Sequence, residues 1–242
     1  MVWLTVTFAL LLLLTRWTTK HIQGIGYLLT GDGQTALAVY FVLTLPGVLL
    51  HEVSHAAVAW LLRVKVRHLS LGIQRKRGQR VALGSVDVAS TDPIRASLIG
   101  LAPFVTGCAA ILLISSRALD FGRLGAFSGQ ALWRELRGML STPDLMLWAY
   151  LVFAIGTAML PSAADRRSWW VTLVLLLFAS TTLYFAGLLD PFSGTVRRWV
   201  RDGTSYLTYA FAVTAAVDLA FAAVLFLIEQ GLALLGLGRI RY

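Results

Sequence analysis

The chain has 242 residues, of which 57% are hydrophobic and 14% are charged, and its formal net charge is +9. A soluble globular domain carries roughly 25% charged residues, so this composition excludes a chain that covers its whole surface with water-facing groups. The single cysteine, Cys108, excludes an intrachain disulfide. The basic residues lie mainly between long apolar blocks, a pattern that favours anionic lipid head groups over nucleic acid as their partner.

Six apolar blocks, most of them close to the length that crosses a bilayer, predict an all-α polytopic membrane protein with about six transmembrane helices. In chain order they cover about residues 2–17, 35–62, 93–115, 143–160, 168–189 and 207–237. The first block has the length of a signal-peptide core, but no basic segment precedes it and no cleavage site precedes Arg16. It is therefore interpreted as a retained helix, and residues 1–242 as one integral membrane domain.

The most basic segment, residues 63–92, separates the second block from the third. Residues 64–71 alternate apolar and polar side chains with the period of a β-strand, and residues 81–88 return in the same way. With a turn at 77–79, the segment predicts a short membrane-associated β-hairpin. Its Lys and Arg content predicts a cytoplasmic location. Residues 116–142 are amphipathic enough to lie along the opposite membrane surface.

The second block contains a His-x-x-x-His pair with a glutamate directly after its first histidine: His51, Glu52 and His55. On an α-helix, positions i and i+4 lie on one face, so both imidazoles can reach one metal ion. Glu52 can face the same cavity and take a proton from water. Because the chain has four His, a chance occurrence has a probability of about one in a thousand. The alternative is a packed polar cluster between helices.

Zinc is the expected metal, and a catalytic zinc usually has a third protein ligand. The candidates are acidic residues within or beside the apolar blocks: Asp165, Asp190, Asp218 and Glu229. Asp165 is preferred because it follows the inner end of the fourth block, at the predicted depth of the two histidines. Glu229 is the reserve ligand, and Asp218 could instead form a hydrogen bond between helices. An ion pair between Asp165 and a neighbouring arginine is the other interpretation of that residue.

Three places in the chain together resemble the site-2 protease family of intramembrane zinc metalloproteases. They are the His51–His55 motif in an apolar helix, residues 91–103 with their Gly and Pro, and residues 158–165, which are similar to the family's Asn-x-x-Pro…Asp motif. The resemblance covers about residues 36–168, a three-helix core. Residues 169–242 would then form additional C-terminal transmembrane helices.

The chain departs from the family pattern around its third motif. Ala158 stands where the family has Asn, the Pro–Asp spacing is one residue shorter, and Arg166 replaces the usual Gly. Thr157 and Ser162 are possible replacements for the hydrogen-bond donor that the Asn provides.

The resemblance implies hydrolysis of peptide bonds in membrane-embedded or membrane-adjacent protein substrates. Zinc would be held by His51, His55 and Asp165, with Glu52 as the general base. The compact size favours a bacterial cell membrane, with the active site toward the cytoplasm. The alternative is a membrane protein that binds zinc for a structural or regulatory purpose without proteolysis. The substrate and the oligomeric state are left open.

Overall fold

The computed structural model describes residues 2–76, 80–117, 143–185 and 193–235, with the side chains of 74–82 and 193 excepted. Across these ranges the chain is mostly helical, with six helices and one two-stranded sheet. The elements are α1 (Val2–Thr30), α2 (Gly33–Leu61), β1 (Val66–Lys76), β2 (Arg80–Val88), α3 (Pro93–Arg117), α4 (Leu145–Ala158), α5 (Trp169–Phe185) and α6 (Ser193–Leu234). By length and composition, α1, α2, α3 and α6 are able to cross a membrane, whereas α4 and α5 are shorter apolar helices.

A tight turn joins α1 to α2 and makes the two helices antiparallel. Gly31 adopts a φ of 69°, the left-handed conformation that commonly ends a helix, and its N–H donates to Tyr27 O. Asp32 then caps α2, because its Oδ2 accepts from Thr35 N at 2.8 Å. The sequence predicts that the first helix ends near residue 17, but α1 continues to Thr30. Isolated charges such as Arg16 do not interrupt helical hydrogen bonding.

The packing of α1 against α6 sets the direction of the last helix. Thr15 Oγ1 donates to Asp218 Oδ2 at 3.3 Å, and His21 Nδ1 lies 2.6 Å from Glu229 Oε1. From the first pair to the second, the residue number increases in both helices, so α1 and α6 run in the same direction. Six alternating crossings would make the two helices antiparallel, so their parallel arrangement differs from that topology. The predicted hydrogen bond of Asp218 between helices is confirmed.

Helix α5 is attached to the first turn of α3. Thr172 Oγ1 donates to Pro93 O at 3.2 Å and lies 2.7 Å from Ser97 Oγ. Beyond these contacts, none of the α5 residues, all of which are described, is buried. Helix α5 therefore fixes the chain just after residue 165 without adding to the buried core.

The predicted β-hairpin is confirmed, and its strands are longer than the alternating pattern indicates. Strands β1 and β2 pair antiparallel, with Leu69 opposite Val86 and Leu71 opposite Gly84. The register shifts after Leu71, where Gly72 adopts a φ of 152°, a conformation that suits glycine. The predicted turn at 77–79 lies outside the described residues, as do Asp190 and nearly all of the amphipathic segment 116–142.

Candidate metal centre

Three side chains from two parts of the chain converge at one end of the helix bundle. The Nε2 atoms of His51 and His55 are 3.1 Å apart, and the carboxylate oxygens of Asp165 lie 3.2 Å from His55 Nε2 and 3.7 Å from His51 Nε2. A tetrahedral zinc with bonds of about 2.1 Å needs ligand atoms roughly 3.4 Å apart. The group formed by these three residues could therefore hold a metal ion.

The opposite nitrogen of each imidazole is fixed by a backbone carbonyl. His51 Nδ1 donates to Ala158 O at 2.7 Å, and His55 Nδ1 donates to Ile99 O at 2.8 Å. Because a carbonyl only accepts, each Nδ1 carries its hydrogen, and a neutral ring presents the Nε2 lone pair to the other two ligands. Two lone pairs and a carboxylate this close repel one another unless a proton or a metal cation lies between them. The donor set is thus prepared for a cation.

Both carbonyls are available to accept from the histidines, because the N–H groups that would bond to them in a continuous helix are missing or donate elsewhere. Within α3, Ile99 O would accept from the N–H four residues later, but that residue is Pro103, which has none. Helix α4 ends at Ala158, and the N–H of Ser162, four residues on, donates instead to Asp165 Oδ2 at 2.7 Å. One proline and one helix end therefore supply the acceptors that orient the two histidines.

Asp165 is held by a reciprocal pair of hydrogen bonds in the turn between α4 and α5. Its carboxylate accepts from Ser162 N, and its own N–H donates to Ser162 Oγ at 3.3 Å. Burial raises the pKa of Asp165, but the interactions with His55 and Ser162 outweigh it and lower the pKa to about 2. The carboxylate is therefore ionised at neutral pH. Among the described residues it pairs with the histidines rather than with a neighbouring arginine.

Glu229, the reserve candidate for the third metal ligand, lies toward the other end of the helix bundle. Glu229 pairs with His21, which belongs to the half of α1 that leads into the α1–α2 turn. The two histidines of the metal group belong to the opposite half of α2. Glu229 therefore lies away from the metal group, because α6 runs parallel to α1.

Glu52 is buried beneath the hairpin, with 7% of its surface exposed. A Cβ added to Gly84 of β2 would lie 2.7 Å from both Cγ and Oε1 of Glu52. The strand backbone therefore passes directly against this carboxylate and leaves no room for a side chain. Glu52 follows His51 in sequence without belonging to the ligand group, as the motif predicts for a base rather than a ligand.

Sequence reasoning missed the residues that build this site through their backbones or through their lack of a side chain. Ile99 and Ala158 contribute carbonyls, and the signal for Ile99 is a proline four residues later in an apolar helix. Of the two hydroxyls considered as donors, Thr157 Oγ1 donates to Phe153 O within its own helix. Ser162 instead positions Asp165.

A cleft of about 480 Å³ opens beside the metal group. His55 and Asp165 lie on its wall. The remaining lining comes from β2, the loop between β2 and α3, the first turns of α3, the turn between α4 and α5, and the start of α5. Most of that lining is apolar, including Val86, Val88 and Ile99. An extended peptide segment could therefore lie beside the metal group.

Gly100 controls how closely α3 approaches the third ligand. A Cβ added there would overlap the backbone oxygen of Asp165, which cannot move as easily as a side-chain tip. We expect Gly100→Ala to push residue 165 away from the histidines and to weaken metal affinity by at least about tenfold. Metal titration of the purified variant checks this. Gly203→Ala is the matched control, since no described atom lies within 4 Å of that position. Equal affinities in the two variants would contradict the expectation.

No protein-family model matches the chain, and no significant match is found among curated proteins or solved structures.

Proposed function

We propose that this protein is an intramembrane zinc metalloprotease similar to the site-2 proteases. The observation that carries the proposal is the meeting of two imidazole Nε2 atoms from the apolar helix α2 with the carboxylate of the α4–α5 turn, at separations of 3.1–3.7 Å. A buried glutamate directly follows the first histidine. Two His and one carboxylate form a set of ligands that leaves a fourth position open, as catalytic zinc sites require.

The donor set supports zinc as the metal. Imidazole and carboxylate ligands suit zinc, and the ligand separations suit its tetrahedral geometry. When bound, zinc lowers the pKa of a water ligand to about 7 and polarises a carbonyl. His51 and His55 hold their ring orientation through Ala158 O and Ile99 O, so they would ligate without reorganising.

Glu52 is the residue for proton transfer. Its carboxylate would accept a proton from the attacking water and deliver it to the amine of the departing peptide. Burial under β2 shields this carboxylate from bulk water. The hairpin backbone at Gly84 holds the carboxylate in place.

The location of the site supports cleavage within or next to the membrane. The histidines precede the end of α2 at Leu61 by six to ten residues, which is roughly 9–15 Å along a helix. A helical substrate must unwind there, because its own hydrogen bonds hide its peptide bonds. An edge of the β1–β2 hairpin is a suitable template for the unwound strand.

The orientation and location of the protein follow from the same proposal. The basic hairpin would lie on the cytoplasmic side of a bacterial cell membrane, with the metal group close to it. Helix α5, which is apolar on its exposed faces, would contact lipid there.

A non-proteolytic zinc protein is the second candidate. The observation that favours it is the hairpin backbone lying against Glu52, which closes one side of the base. Metal analysis of the purified protein beside cleavage of a transmembrane test substrate separates the two. Bound zinc with cleavage that depends on Glu52 supports the protease. Bound zinc without cleavage supports the alternative.

We expect Gly84→Ala to reduce cleavage by about 100-fold while zinc content stays the same. The added methyl group would displace the flexible Glu52 side chain rather than the metal ligands, and a misplacement of about 1 Å can cost that much activity. Initial rates and metal content of the purified variant check this. Gly231→Ala, where no described atom lies within 4 Å, is the control. Full activity in Gly84→Ala would show that the contact does not position the base.

A further inference from the structure

The cleft beside the metal group contains one arginine, Arg167, among its described lining residues. Its side chain is exposed, and its backbone N–H donates to Ala164 O at 3.2 Å. Within the described part of the chain, Arg167 forms no ion pair, whereas Arg95 pairs with Asp92 at 3.3 Å. Arg167 therefore places a permanently charged residue in the lining of the cleft, without an acidic partner among the described residues.

Most of the other described lining residues of the cleft are uncharged. Val86, Val88 and Val171 are among its apolar lining residues, with Thr91 and Ser168 as uncharged polar ones. The charges of two carboxylates and a divalent metal cancel, so the guanidinium leaves the site net positive. Arginine presents a planar set of donors that matches a carboxylate with two parallel hydrogen bonds.

We propose that Arg167 is a specificity-determining residue that selects substrates with a carboxylate close to the scissile bond. This inference rests on the proposed protease function and names the substrate class of the same site. The carboxylate is supplied by a Glu or Asp side chain of the substrate or by its free C-terminus.

The chain length between ligand and arginine limits where that carboxylate lies. Asp165 and Arg167 are two residues apart, so their Cα atoms are separated by at most about 7 Å. An arginine side chain adds roughly 6 Å, and an extended substrate advances about 3.3 Å per residue. The recognised carboxylate therefore lies within about four residues of the scissile bond.

The neighbouring arginine provides a matched control. Arg166 carries the same charge, but it is not among the lining residues of the cleft, and its Nε donates to Ser162 O at 3.3 Å. Removal of Arg166 changes the net charge of the protein as much as removal of Arg167 does. Of the two arginines, only Arg167 lines the cleft.

The test uses the full-length, zinc-loaded protein in lipid nanodiscs with a series of transmembrane test peptides. One glutamate is moved through the four positions on each side of the cleavage site, and each peptide has a Gln counterpart and a Lys counterpart. Amidated and free C-termini distinguish the two sources of the carboxylate. The kcat and KM values are measured for wild type, Arg167→Gln, Arg166→Gln and Arg167→Glu, with zinc content measured in each.

At one position, or at the free C-terminus, wild type is expected to prefer the carboxylate by about tenfold or more in kcat/KM. Arg167→Gln should lose this preference, Arg166→Gln should keep it, and Arg167→Glu should prefer a Lys peptide instead. Cleavage with no preference, or a preference that survives in Arg167→Gln, overturns the inference and leaves the protease function standing. A zinc-loaded wild type that cleaves none of the peptides overturns both.

Discussion

Replacing Glu52 with glutamine is expected to reduce peptide cleavage by about 10²–10⁴-fold while zinc remains bound. Glutamine keeps the shape of the side chain against Gly84 but cannot accept a proton from water. The metal group of His51, His55 and Asp165 does not include Glu52, so metal content should match that of the wild type. Cleavage of a transmembrane test substrate and metal analysis of the same preparation provide the two readouts.

The control for this substitution is Glu229→Gln. Glu229 pairs with His21 toward the opposite end of the bundle, so the same chemical change there should leave both cleavage and zinc content near wild-type values. Normal cleavage by Glu52→Gln would show that the protease proposal is wrong. Loss of zinc from Glu52→Gln would instead show that the glutamate supports the metal group.

Replacing Asp165 with alanine is expected to weaken zinc affinity by at least about 100-fold. Mutation of a group that only supports a metal ligand lowers metal affinity by about 10–100-fold. This substitution removes a ligand itself. Two imidazoles alone would leave the ion with two protein donors where catalytic zinc sites have three. Zinc titration of the purified protein measures the change, and cleavage at limiting zinc should fall with it.

Two further variants sharpen the assignment of the third ligand. Asp202→Ala removes an exposed carboxylate on α6, far in sequence from the motif, and should bind zinc as the wild type does. Glu229→Ala tests the reserve ligand directly and should also keep its zinc. Wild-type zinc affinity in Asp165→Ala, together with a loss in Glu229→Ala, would move the third ligand to Glu229.

Local spacing was sufficient for much of the site. The i, i+4 spacing of His51 and His55 places both imidazoles on one face of α2, because the period of the helix fixes that relation. The alternation in 64–71 and 81–88 predicts the hairpin for a similar reason, since side chains alternate along a strand. The position of Asp165 just after an apolar block predicts that it can join the histidines, and the structure brings the three residues together.

Sequence reasoning was weaker wherever the outcome depended on how separate segments pack. The backbone carbonyls of Ile99 and Ala158 have no signature of their own, because every residue carries one. They become acceptors only when Pro103 and the end of α4 free them and α2 lies alongside. The contact between Gly84 and Glu52 likewise depends on how the hairpin folds back onto α2.

The direction of α6 is the clearest example of a feature that packing decides and local spacing does not. Apolar length alone predicts helices able to cross a membrane, and four described helices have that length and composition. Length does not encode direction, which follows from pairings such as Thr15 with Asp218 and His21 with Glu229. By itself, the sequence thus determined the elements and the two-histidine motif, because helix and strand periods are local properties. Only the tertiary structure decided which carbonyls, glycines and carboxylates meet that motif, because those contacts join residues far apart in sequence, such as His51 and Ala158, which are 107 positions apart.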